Sequence, residues 1–202
     1  MILAVDLAAR FSAGIVLDDD REVRLQFDSW RRDAFGTSEM VAELARVFDP
    51  DVIVIEDVPY GISQQFMIKP VLRHQGILIA ALWRCGFAER TVFVAPATWQ
   101  RAMGVFPPRK STEKQKVALA AEAALGLGYT PPDLFETHAR EIPAKGPERT
   151  KIRTLLHKAT TDYVDAYLIA RWADVMLAEG PLTDVQGVQP AIPEGFTWPR
   201  AT

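Results

Sequence analysis

The chain has 202 residues, 49% hydrophobic and 24% charged, which suits one soluble globular core rather than a fibrous or disordered chain. Lys+Arg 23 against Asp+Glu 26 leaves a net charge of −3, so no global positive field advertises a nucleic-acid partner, and DNA binding needs a local basic patch. One cysteine, Cys85 in the apolar helical stretch "GILIAALWRCG", excludes a disulfide framework or a cysteine-based zinc site and reads as a small buried residue.

"MILAVDLA" reads as a first strand, and "SAGIVLDDDREVRLQFDSW" as two more joined at the turn Asp18-Asp19-Asp20. From Thr37, an N-cap candidate, Met40, Val41, Leu44, Val47 and Phe48 recur at helical spacing, and the helix stops before Asp49-Pro50. "DVIVIEDV" is nearly all β-branched, the mark of a strand buried on both faces, and a helix crossing between strands implies a parallel partner. A second helix is expected from about Met67 to Cys85, a fifth strand at "TVFVAP", and a short helix at "ATWQRAMG" ending at Gly104. Ser111-Thr112 opens a third long helix, with Thr112 and Gln115 spaced as a capping box. Residues 126–158 are broken by Gly, Pro and charges and read as an inserted loop. "TTDYVDAYLIARWA", residues 160–173, is the last helix, and residues 179–202 read as a Pro-rich tail. No run reaches the about 20 apolar residues of a membrane span. With the acidic start "MILAVDLAAR", the expectation is a cytoplasmic protein that contacts no membrane.

Two strand ends carry acids in apolar settings, Asp6 and Glu56; side-chain alternation sends Glu56 and Asp57 to opposite faces, so only one of these joins a given site. Asp162 and Asp165, three apart, share a helix face. If all four converge, their repulsion calls for a cation, and oxygen-only donors favour a hard divalent ion, Mg²⁺ or Mn²⁺. Two such ions roughly 3.5–4 Å apart would clamp a scissile phosphate. Taken singly, each acid has a plainer explanation. Asp162 would complement a helix N-terminus capped by Thr161, and Asp6 and Glu56 would be exposed strand-end charges.

In the order strand-Asp, buried-strand-Glu, late-helix Asp-x-x-Asp, the chain resembles the RuvC family of Holliday-junction resolvases in the RNase H-like superfamily. The matching pieces are "ILAVDLAARFSAGIVL", "DVIVIEDVPYG", "VLRHQGILIAAL", "VAPATWQRAMG", "STEKQKVALAA" and "TTDYVDAYLIA", covering most of residues 1–125 and 160–173. The resemblance implies an α/β RNase H-like fold: a five-stranded mixed sheet, three antiparallel strands then two parallel, with helices on both faces. One nuclease domain would span residues 1–178. The resemblance further implies that Asp6, Glu56, Asp162 and Asp165 hold two Mg²⁺ ions (Mn²⁺ substituting) and that Lys114 in "STEK" stands near the scissile phosphate. A homodimer would cut opposing strands of a four-way junction, leaving 5′-phosphate and 3′-hydroxyl ends. The chain departs from the family in three places. "DLAAR" lacks the Pro-Gly turn after the first aspartate, Arg101 is the nearest counterpart of a second basic residue, and residues 126–158 exceed the family norm, as in a divergent phage-type member.

For DNA, the resemblance points to Tyr60 in the loop after Glu56 as a base-stacking aromatic. Arg109, Lys110, Lys114 and Lys116 cluster in "PPRKSTEKQK" as phosphate contacts, and Lys69 and Arg73 are spaced to line the same cleft. Lys145, Arg149, Lys151, Arg153 and Lys158 add charge to the 126–158 segment. The rival readings are an RNase H-like nuclease for RNA–DNA hybrids or transposon ends, and a junction-binding protein without turnover. An actin-like kinase is disfavoured because no glycine-rich phosphate loop is present.

Overall fold

Strand β1 (Ile2–Asp6) is buried on both faces and lies at the middle of the sheet. The computed structural model describes residues 1–8, 11–30, 32–58, 65–132 and 146–193. On one side β1 pairs antiparallel with β2 (Ala13–Leu17), which pairs antiparallel with β3 (Val23–Asp28). The connecting turn spans residues 18–22 and is closed by Asp18 N–H donating to the Glu22 carbonyl, with Arg21 at positive φ. Its partner on the other side is β4 (Val52–Glu56), parallel, followed by β5 (Thr91–Val94), also parallel. A sixth strand, β6 (Val188–Pro190), adds antiparallel to β5, so the order is β3-β2-β1-β4-β5-β6 and the expected count of five was one short. The sequence conceals β6 because it is three residues long and ends in proline, which a sheet tolerates only at its edge.

Helices cover both faces. Helix α1 (Ala34–Phe48) starts one turn before the expected Thr37, because the Asp33 carboxylate caps it by accepting from Gly36 N–H at 2.8 Å. It packs on α2 (Gln65–Arg84), which ends before Cys85 and leaves that thiol half-buried. Leu3, Val5, Val16, Ile53 and Ile55 face this pair. Ile2, Ala4, Ile15, Leu17, Val52, Val54, Val92 and Val94 face the other layer: α3 (Pro96–Ala102), α4 (Glu113–Gly126) and α5 (Pro147–Glu179). The capping box of Thr112 and Gln115 is present at the start of α4.

Helix α5 carries both Asp162 and Asp165. It runs 33 residues, beginning at Pro147 rather than near residue 160, and its apolar half packs on β1, β2 and β4. Leu168, Ile169 and Trp172 are fully buried there, each worth about 1.5–3 kcal/mol of apolar burial. Those anchors fix which way the polar residues of the same turns can point.

Candidate active site

Parity decides the sheet acids. Asp6 follows Ile2 and Ala4, and Glu56 follows Val52 and Val54, so both carboxylates leave the sheet on the α5 side. Val5 pairs with Ile55 in the parallel register, and one step further brings Asp6 beside Glu56 at the carboxyl ends of two central strands. The side chains meet: Asp6 is buried, Glu56 is half-buried, and the two carboxyls share a hydrogen bond. Asp57 goes the other way, as alternation requires, accepting from Gln75 Nε2 of α2 at 3.3 Å.

The electrostatics of Glu56 record the crowding. Burial holds its carboxyl well above the ordinary glutamate range, and the charges of Asp6 and then Asp165 push it further. One contact opposes this: the Trp99 indole of α3 donates to Glu56 Oε1 at 2.9 Å. Trp99 is itself buried, so the Glu56 carboxyl is oriented by a side chain that has no freedom to swing.

Asp165 therefore acts on the sheet pair from α5, and Asp162, one turn earlier, is buried on the same helix. With the helix starting at Pro147, Asp162 lies in its interior, so neither Thr161 capping nor an N-terminal dipole explains its place. Between the two acids, Tyr163 donates its hydroxyl to Asp28 Oδ2 at 2.7 Å. Asp28 belongs to the same row of the sheet, for Asp6 pairs with Ala13 and Ala13 with Asp28. The small Ala13 leaves room for the Tyr163 ring, which packs there with Phe11.

The other expected residues are exposed at the surface or fall outside the described residues. Lys114 and Lys116 are exposed on the first turns of α4, Arg109 and Lys110 on the segment before it, Arg101 on α3, and Lys69 and Arg73 on the outer face of α2. Tyr60 and Lys145 lie outside the described residues, as does the side chain of Lys158. Three participants carried no readable signal: Trp99, Tyr163 and His74. Buried His74 puts Nδ1 3.2 Å from the Ala8 carbonyl just beyond Asp6, and burial lowers its pKa, so the neutral ring's Nδ1–H donates to that carbonyl. Each acts across a long chain separation, which no local pattern encodes.

Among the described residues no three His, Cys, Asp or Glu side chains form a ready-made metal-holding group. What the site offers is a donor chemistry: carboxylate oxygens, buried at Asp6 and Asp162 and half-buried at Glu56, with the Glu56 carboxyl driven toward its protonated form by burial and by its acidic neighbours. That set suits a hard divalent cation, which would replace the shared proton as the counter-charge.

No family model matches the chain, and no curated protein sequence matches it. Solved structures do. Against T. thermophilus RuvC in complex with Holliday junction substrate the identity is 14%, the match covers 88% of this chain and 94% of that one, and the TM-score is 0.54. Against a second Thermus thermophilus RuvC structure the identity is again 14%, over 88% and 96% of the two chains, with a TM-score of 0.52. With six strands in mixed order, helices on both faces and acids ending the central strands, the chain adopts the α/β, RNase H-like fold of the RuvC-type resolvases.

Proposed function

We propose that the chain is a metal-dependent endonuclease that hydrolyses phosphodiesters in branched DNA, with four-way junctions as its substrate and a homodimer as its working form. The observation that carries this reading is the meeting of Asp6 and Glu56 on adjacent strand ends, with Asp165 charged against them from α5. The likeness of fold to a RuvC seen with a Holliday junction substrate supports the choice of substrate.

Asp6, Glu56, Asp162 and Asp165 would hold Mg²⁺ or Mn²⁺, and the donor set suits two ions. When bound, such ions lower the pKa of an attacking water and stabilise the leaving oxygen. The protein's own share is positional. Trp99 fixes the Glu56 carboxyl, Tyr163 fixes the rotation of α5, and His74 fixes the turn after Asp6. Lys114, at the start of α4, would offset charge on the phosphate, and no enzyme-bound covalent intermediate is expected. Two copies would cut opposing strands.

The test is a cleavage assay on four-way junction, flap, RNA–DNA hybrid and linear duplex, with and without Mg²⁺, alongside Asp6→Asn. The expected result is Mg²⁺-dependent cutting of the junction, abolished in the variant with junction binding retained. Preference for the hybrid, or equal cutting of linear duplex, overturns the substrate assignment; junction binding without cleavage in either metal overturns the enzymatic one.

A further inference from the structure

Phe106 is 45% exposed, an unusual place for a large apolar ring, and the backbone is built to put it there. Helix α3 ends in a Schellman motif: Val105 N–H donates to the Gln100 carbonyl at 2.8 Å and Gly104 N–H to the Arg101 carbonyl at 3.1 Å. Gly104 takes the left-handed conformation this turn needs, φ 71°. Val105 is thereby pulled into the core, and the next side chain must face out. One turn back, the Arg101 guanidinium lies 4.7 Å from the Phe106 ring centroid in a cation–π contact. Beyond it, Pro107-Pro108 and a turn closed by Ser111 N–H on the Pro108 carbonyl lead into the capped start of α4, so the presenting segment is short and stiff.

Charge says what this ring faces. From Ala95 to Thr112 the chain carries Arg101, Arg109 and Lys110 and no acid, and all three cations are exposed. The same helix α3 supplies Trp99 to Glu56, so the exposed ring is tied through one helix to the carboxylate site. An apolar plane backed by a guanidinium, on a segment that carries three cations before its first acid at Glu113, fits a flat π-face attached to phosphate.

We propose that Phe106, backed by Arg101, is a stacking platform for an unpaired nucleobase of the branched DNA; this rests on the reading of the site as a branched-DNA nuclease. The platform separates branched from linear DNA, since a fully paired duplex offers no free base face.

The experiment compares wild type, Phe106→Ala and Phe106→Trp for binding without divalent metal to a junction with one unpaired base at the branch and to linear duplex. Photo-crosslinking with 5-iodouracil at each branch position accompanies it, with thermal melts confirming the fold. The expected result is a loss of about 5- to 150-fold for Phe106→Ala on branched DNA only, the range of one base–aromatic stack, with Phe106→Trp close to wild type and a crosslink mapped to Phe106. An equal loss on linear duplex, no loss at all, or no crosslink at Phe106 overturns the platform. No loss assigns the ring to a protein contact instead. Those outcomes leave the nuclease reading standing if wild type binds the junction; failure of wild type to bind it overturns both.

Discussion

Glu56 sits beside Asp6, under the influence of Asp165, with the Trp99 indole favouring its charged form. Its folded-state carboxyl is raised above the ordinary value of 4.5, so its contribution to stability is fully present below that pH. As pH climbs through the raised folded value, the fold has to hold a buried charge and the contribution is lost. Metal-free wild type should therefore melt at a lower temperature at neutral pH than at a pH just above 4.5, and added Mg²⁺ should restore the difference. Glu56→Gln should flatten that profile and be at least as stable as wild type at neutral pH, while cleavage falls by more than the roughly 10- to 100-fold that losing a partner behind a ligand costs, since Glu56 would itself be a ligand. Thermal melts across pH, with and without metal, check the first half, and junction cleavage the second. A Gln variant that cuts like wild type would remove Glu56 from the site.

Helix α5 is the element on which the geometry depends, because two acids ride on it and their direction follows its rotation. Its phase is set by packing of Leu168, Ile169 and Trp172 and by the Tyr163–Asp28 hydrogen bond at the row of the sheet acids. Tyr163→Phe removes that bond without changing the ring, and should cost about 1.5–3 kcal/mol, the range for a hydrogen bond to a charged group. Asp28→Asn, which keeps an acceptor, should cost less. Denaturant unfolding measures both, and equal losses would show that the charge of Asp28 matters more than its geometry. The helix start also shows what pattern reading misses. Gly146-Pro147 looks like a chain breaker in sequence, yet proline is favoured at the first helical position, where its missing N–H has no partner to lose. Because residues 147–158 are mostly polar, with Ile152, Leu155 and Leu156 among eight polar or charged residues, the apolar period is weak before about residue 160, and the first three turns look like loop.

For the whole molecule the net charge of −3 opposes any long-range pull on DNA, so association must come from cations that act together at short range. Arg109, Lys110, Lys114 and Lys116 are all exposed around the α3–α4 connection. Junction binding should weaken steeply with salt. Replacing any one phosphate-contacting member by Ala should lower the log–log salt slope by about 1 without changing which DNA is preferred. A KCl titration of junction affinity tests this, and an unchanged slope in all four variants would move the DNA path elsewhere.

The sequence by itself determined the sheet and its acids. Alternation in β1 and β4 groups Asp6 with Ile2 and Ala4, and Glu56 with Val52 and Val54; packing then made that face the α5 side. The three-residue spacing of Asp162 and Asp165 fixes their common face in the same local way. What the tertiary structure decided are the long-range matches. Trp99 reaches Glu56 across 43 residues of chain, and Tyr163 reaches Asp28 across 135. It also decided that Val188–Pro190 becomes a sixth strand, because an edge beside β5 is open to it. Periodicity reports which face a residue takes, since that depends only on backbone geometry. Which side chain it meets there depends on how distant elements pack, and no run of neighbouring residues records that.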